Sequence, residues 1–360
     1  MKPLAGVRVV EAASYVSVPF ASLALSDLGA DVIKVEPPGG DPFRRFGLRH
    51  QGQSLSWLAT NANKRSTVID LKTETGVARL HDLLADADVL MTNWRPAVAA
   101  RLGLEPAAVQ ARYPRLVWVR LSGYGQDGPQ ADLPAFDAII QARSGLAMSN
   151  GDEPRLLPGY VADKVSAMFA AQAAMAALVG RATTGEGAVV DVAMIDSLAY
   201  FDGPDVLAGK ALLDAPDYDV IGHLGDMRPL RTEDGWLLVS PVSGKQLKRA
   251  LAAAGRPDAV ALLRAVEDAR TMTSMFLGLL AEVLPSRPTA EWEQVFADAD
   301  VPASAVLSVD DHVADHQLAH NATFRVTEDP ILGRVRQVRH PARFDGAPAE
   351  TAELPAPSLP

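Results

Sequence analysis

The sequence predicts an α/β fold built on a doubly wound parallel sheet, with a smaller α/β unit beyond it. Three observations support this. Short β-rich runs alternate with helical patterns through the first third of the chain. A long alanine-rich segment further on is apolar on most faces, as a buried helix is. A second, shorter alternation of strand and helix follows an irregular stretch over about 205–235. Strands separated by helices read as a parallel sheet, since a crossover must return the chain to the starting end.

Taken in order, Val7–Ala12 (VRVVEA) is β-rich, and Phe20–Leu28 is helical in pattern with Gly29 as its stop. Asp31–Glu36 (DVIKVE) reads as a second strand and ends at Pro37-Pro38-Gly39-Gly40. Thr67–Leu71 reads as a third. Glu74–Asp86 is amphipathic, with Val77, Leu80, Leu83 and Leu84 on one side. Val89–Thr92 and Leu116–Leu121 complete the first set of strands. Lys164–Arg181 is the alanine-rich helix; Gly185–Gly187 breaks it, and Ala188–Met194 returns as a strand. Pro204, Pro216 and Pro229 punctuate the irregular stretch. Then come a strand at Trp236–Val242, helices near Gln246–Ala254 and Thr289–Ala299, and β-like runs at Val301–Leu307 and Arg334–Phe344. The proline-bearing tail after Gly346 reads as surface coil.

Composition narrows the function classes. The chain has 360 residues, 48% hydrophobic and 22% charged, which suits folded domains with a sizeable core. It has no cysteine, so disulfides and thiolate metal ligands are excluded. A net charge of −10 without a basic block argues against nucleic acid. A small anionic ligand then needs a local basic pocket. No secretory pattern opens the sequence and no stretch reads as a membrane span, so the expected location is the cytoplasm, without a membrane partner.

Several motifs tempt. Gly123-Tyr124-Gly125-Gln126-Asp127-Gly128 matches G-x-G-x-x-G after a strand, but Pro129 follows and no helix opens there. The dinucleotide fingerprint works by setting pyrophosphate on a helix N-terminus, so the run reads as a glycine-rich turn near a pocket. His312, His316 and His320 recur every four residues; a polar, solvent-facing helix explains them better than a metal, and no metal is expected. Asp163 precedes the alanine-rich helix, where aspartate is a favoured cap. A helix N-terminus also keeps a carboxylate ionised, and such a carboxylate can attack an acyl carbon.

Longer phrases carry a resemblance. LAGVRVVEAASYVSVPFASLALSDLGADVIKVEPPGGDPFR at the start, NKRSTVIDLKTETG at 63–76, DVLMTNWRPAVAARLGL at 88–104, LSGYGQDGP at 121–129, ATTGEGAVVDVAMIDSL at 182–198 and PASAVLSVDDHVADHQLAHNATF at 302–324 are similar, in order, to segments of the class III CoA-transferases. That group includes formyl-CoA transferase, carnitinyl-CoA transferase and α-methylacyl-CoA racemase. The resemblance implies a transferase moving CoA from an acyl-CoA donor to a carboxylic acid acceptor, with Asp163 as nucleophile through an anhydride and an aspartyl-CoA thioester. CoA and acyl-CoA are then substrates, and no cofactor is permanently bound. The CoA contacts it implies are Val16, Ser17, Lys72, Asn93, Trp94, Arg95, Arg101 and Tyr124. Backbone N–H groups near the Val16–Ser17 turn and the 121–128 loop are the expected oxyanion donors.

The resemblance also implies a Rossmann-like large domain over 1–204 completed by 305–360, a small domain over 205–304, and an interlocked homodimer. Four departures stand out. Pro37 and Pro38 replace a basic residue after the DVIKVE strand, with Arg44 or Arg45 as possible substitutes; Ala97 replaces a glycine; a glycine-rich lid has no counterpart in 205–235; and the expected C-terminal helix after a G-E-H-T-like phrase has no counterpart before Pro355–Pro360. The alternatives are proton exchange of the racemase kind and an inactive CoA-binding relative. Phe136 occupies the place of the racemase histidine and cannot carry a proton, which favours the transferase.

Overall fold

The computed structural model describes residues 1–148, 153–214 and 227–358. The chain divides into two compact units, Met1–Ala211 with Ala319–Pro360, and Leu212–Leu318. Six strands form the sheet of the larger unit: β1 (Arg8–Ala12), β2 (Asp31–Glu36), β3 (Lys64–Val68), β4 (Val89–Thr92), β5 (Val117–Ser122) and β6 (Val189–Ala193). Their order is β3-β2-β1-β4-β5-β6, and every pairing is parallel. Strand β3 begins three residues before the run at Thr67–Leu71 that reads as strand. Its first residue, Lys64, is buried, which a hydrophobic pattern does not register.

Eight helices cover the sheet: α1 (Ser17–Asp27), α2 (Leu55–Asn61), α3 (Glu74–Ala85), α4 (Pro96–Arg101), α5 (Pro106–Arg112), α6 (Asp137–Arg143), α7 (Val161–Thr184) and α8 (Met194–Asp202). Successive strand residues point to opposite faces, so Val9 and Val10 belong to different cores. On one face Val9, Val32, Val89, Met91, Val117 and Val119 pack with α1, α7 and α8. On the other, Val10, Val35, Leu90 and Trp118 pack with Leu80 and Leu84 of α3, Ala99 of α4 and Val109 of α5. That two-sided cover is why β4 is buried along its whole length.

Helix α7 is apolar and long enough, by length and composition alone, to cross a bilayer, where the sequence pattern had suggested no such stretch. Its Ala162, Ala167, Ala170, Ala171 and Ala174 are buried in the core that α1 shares. Small side chains let two helices approach closely, so the alanine content has a packing cause.

The smaller unit has an antiparallel sheet ordered β9-β8-β7, from β7 (Leu230–Arg231), β8 (Trp236–Val239) and β9 (Ala303–Ala305). Leu237, Val239, Leu251, Phe276, Trp292 and Phe296 form its own core. Of the stretch 205–235 with its missing lid, residues 215–226 lie outside the described residues. The three histidines sit on two separate short helices, Val309–Val313 and His316–His320, so they do not share one helical face.

The C-terminal residues return to the larger unit. Strands β10 (Phe324–Asp329) and β11 (Gly333–Val338) form a hairpin, and Arg325 reaches Asp27 at 3.2 Å. The tail that reads as surface coil is clamped instead. Asn63 donates its N–H to the Leu354 carbonyl and accepts the Leu354 N–H on Oδ1, both at 3.0 Å, and Ala349 and Ala356 are buried.

Candidate active site

In this strand order the crevice lies outside the carboxyl ends of β1 and β4, where the winding reverses. Residues 14–17 turn there from β1 into α1. Tyr15 takes φ +66°, a left-handed conformation that side chains disfavour. The Tyr15 N–H donates to Asp41 Oδ1 at 3.2 Å. Asn93, just past β4, grips the same turn from the other side: its Nδ2 donates to the Ser14 carbonyl at 2.7 Å, and its Oδ1 accepts the Ser14 N–H at 3.2 Å. Two strands are thus tied at the point where they diverge.

A cavity of about 270 Å³ opens on this turn. Ser17, Asn93, Arg95, Ser122, Gly123, Phe136 and Asp163 are among the residues that line it. Gly123 has a steric reason, since a β-carbon there would stand 2.4 Å from that of Ala135. The glycine-rich run opens no helix: α6 begins only at Asp137, so the dinucleotide geometry is absent from these residues.

Asp163 is the third residue of α7, not the residue before it; Tyr160 precedes the helix and offers no side-chain cap. Asp137 supplies the cap instead. Its Oδ1 accepts the Asp163 N–H at 3.1 Å and its Oδ2 accepts from Gln141 Nε2 at 2.6 Å. Gln141 in turn holds Leu157 through both its backbone groups, fixing the approach to α7. Burial pushes the Asp163 carboxyl up and the Asp137 charge pushes it further, to about 7, while a hydrogen bond from Ser17 pulls it down. The result is a half-buried carboxyl poised near neutrality beside a cavity. Burial, with the same two carboxylates, also raises the Tyr160 phenol.

The structure brings together Asp163, Ser17, Asn93 and Arg95. Arg95 donates to the Asp132 carbonyl at 2.7 Å. Val16 lies under the turn, buried against Phe43 and Trp57. Trp94 and Tyr124 are half-buried against the cores and do not line this cavity. Lys72 and Arg101 are exposed, and their chain neighbours Leu71 and Leu102 pack on the same core as Trp94. Of the two substitutes for the missing basic residue, Arg44 is occupied. It makes a two-pronged contact with Glu36 at 2.7 and 2.6 Å and lies 4.0 Å over the Trp57 ring. Arg45 remains exposed.

Sequence reasoning gave Asp137 no role, because no spacing rule links it to a residue 26 positions on. It also missed the buried charges beneath the turn. Glu11, Lys34, Lys64 and Asp41 are all almost inaccessible.

The family model described as CoA-transferase family III matches residues 4–359. The chain is 32% identical to the succinyl-CoA–D-citramalate CoA-transferase of Chloroflexus aurantiacus, across 96% of this chain and 89% of that one. It is 30% identical to the cinnamoyl-CoA:phenyllactate CoA-transferase of Clostridium sporogenes, across 95% and 87%. Among solved structures, a CAIB/BAIF family protein from Brucella suis superposes with a TM-score of 0.85 at 27% identity, covering 99% of this chain and 96% of that one.

Proposed function

This chain belongs to CoA-transferase family III, and from that premise we propose that it moves CoA from an acyl-CoA to a carboxylic acid through covalent intermediates on Asp163. The observation that supports the reading is the placement of Asp163. It is a half-buried carboxyl in the first turn of α7, facing a cavity at the switch point that Ser17 also lines.

Four steps balance the chemistry. The Asp163 carboxylate attacks the thioester carbonyl and expels CoA thiolate, leaving a mixed anhydride. The thiolate attacks the aspartyl carbonyl and releases the donor acid, leaving an aspartyl-CoA thioester. The acceptor carboxylate displaces the thiolate to form a second anhydride. The thiolate then attacks the acceptor's acyl carbon, giving the new acyl-CoA and free Asp163. The whole exchange trades one thioester for another of similar energy, and covalent relay conserves that energy by passing through anhydrides instead of releasing CoA to water. A carboxyl raised toward 7 is more basic once ionised, hence a better nucleophile, and the Ser17 bond preserves the ionised fraction. Ser17 and Gly123 border the same cavity, and their backbone N–H groups suit the developing oxyanions, those of Ser14 and Tyr15 being already taken by Asn93 and Asp41.

Phe136 lines the cavity, so a neutral ring stands beside the carboxyl where proton exchange would need a base. Lys72, Arg95 and Arg101 are the cations assigned to the CoA phosphates. Exposed apolar side chains such as Val179 and Tyr200 suit a homodimer. Light scattering should then give twice the 38.2 kDa chain mass. Incubation with acyl-CoA and hydroxylamine should leave a hydroxamate at Asp163, and Asp163→Ala should abolish exchange while retaining CoA binding. Turnover by that variant would end the reading.

A further inference from the structure

Beneath the catalytic turn lies a buried set of six charges on three adjacent strands and the loop after them. Glu11 of β1 takes Lys34 Nζ of β2 on Oε1 and Lys64 Nζ of β3 on Oε2, the latter at 2.9 Å. Lys34 Nζ also lies 3.0 Å from Asp41 Oδ2. Glu36 of β2 binds Arg44 and accepts the Asp41 N–H at 2.9 Å. Three carboxylates thus face three cations. The remaining Lys64 protons go to the Pro19 carbonyl at 2.7 Å and Asn61 Oδ1 at 3.0 Å. The set is an expensive way to fill a core, because desolvating ions costs about what their attraction returns. It reaches the turn at two points: Lys34 Nζ donates to the Ala13 carbonyl at 2.9 Å, and Asp41 Oδ1 holds the Tyr15 N–H.

We propose that Asp41 is a positioning residue for Asp163. Anchored by Lys34 and Glu36, it holds Tyr15 in its left-handed conformation, and so keeps the 14–17 turn where Ser17 meets the Asp163 carboxylate. The inference rests on the reading of Asp163 as the reacting group. Three features support it. Tyr15 is not glycine, so its φ of +66° must be held by its surroundings. The N–H grips on the turn come from Asp41 on one side and Asn93 on the other. Ser17 is the first residue of α1, two positions after Tyr15, so rotation at Tyr15 moves its hydroxyl. The groups that face the Asp163 carboxyl are Asp137 from α6, Tyr160 before α7, Ser17 from α1 and, across the cavity, Arg95. Asp41 acts on it only through Ser17.

The test is the acid limb of the pH–rate profile in the full-length enzyme. A hydrogen bond to a charged group is strong enough that Ser17→Ala should move the limb up by about one pH unit, and Asp41→Ala by the same amount. The double variant should move it no further, because both changes remove one interaction. Asp41→Asn keeps an acceptor for the Tyr15 N–H and should restore the native limb. CoA affinity should hold within a factor of about two in the Asp41 variants, since Asp41 is assigned no contact with CoA. Arg65→Ala, which breaks an exposed ion pair with Asp31 on the same strands, should leave the limb in place. If Asp41→Ala does not fold, Asp41→Ser takes its place, since it retains a cap for the Phe43 N–H but is too short to hold Tyr15. An unmoved limb in the Asp41 variant, or shifts that add in the double variant, overturns the inference. Absence of the Asp163 hydroxamate in wild type overturns the parent reading instead.

Discussion

Asp137 accepts the backbone N–H of Asp163 at 3.1 Å while its charge opposes ionisation of the Asp163 side chain. One residue therefore orders the first turn of α7 and raises the basicity of the group displayed there. Asp137→Asn removes the charge and keeps an amide oxygen for the Asp163 N–H, while giving up the bond accepted from Gln141 Nε2. The acid limb of the pH–rate profile should fall by up to about one unit, as expected for loss of one nearby like charge. A limb that stays in place would show that burial alone sets the value.

With Asp163 pushed up to about 7, the ionised carboxylate that we propose as nucleophile accumulates only as pH rises through neutrality. The kcat/KM for acyl-CoA should climb tenfold per pH unit below about 7 and level off above it. A flat profile from pH 5 to 8 would mean that Asp163 reacts from an ordinary carboxylate.

The same shift has a stability consequence. The folded-state value lies above the unfolded one, so the native state binds the extra proton between about 4 and 7. The associated stability is present at low pH and lost as pH rises through 7. Asp163→Asn should therefore raise Tm at pH 8 while changing it little at pH 4.5. Thermal scans at the two values decide this, and equal changes at both would contradict the sign.

Affinity for CoA must come from local cations in a chain of net charge −10. Charge-assisted phosphate contacts are worth about 1.5–3 kcal/mol, so Arg101→Ala should weaken CoA roughly 10- to 100-fold. The loss should shrink at higher salt, because Arg101 is exposed. Calorimetric titration at two salt concentrations measures it; unchanged affinity in both Arg95→Ala and Arg101→Ala would place the pocket elsewhere.

Ala170 of α7 is fully buried in the core shared with α1. Ala170→Leu forces the helices apart and should cost about 1–3 kcal/mol. Denaturant unfolding should show that loss in the midpoint.

Much of the fold was legible in the sequence. Runs such as VRVVEA and DVIKVE became adjacent parallel strands, and the alanine-rich segment became α7. What escaped has a common cause. Lys34, Lys64, Glu11 and Asp41 are residue types that pattern reading assigns to the surface, yet each is buried because partners arrive from other strands. Asp163 looked like a cap because aspartate often is one. Its cap from Asp137 depends on a tertiary contact that no local pattern encodes.

The Asp27–Arg325 pair joins residues 298 positions apart, and the Asn63–Leu354 clamp spans 291. On the ribosome the larger unit is therefore unfinished until its last strands emerge. At about 5–20 residues per second, Asp27 waits roughly 15–60 s for its partner. The smaller unit, ending at Leu318, clears the tunnel only just ahead of Arg325 and then folds on its own core. Nascent chains arrested with Leu318 outside the tunnel and Arg325 still inside should thus carry a folded insert and an unfinished host, a species that invites chaperone binding.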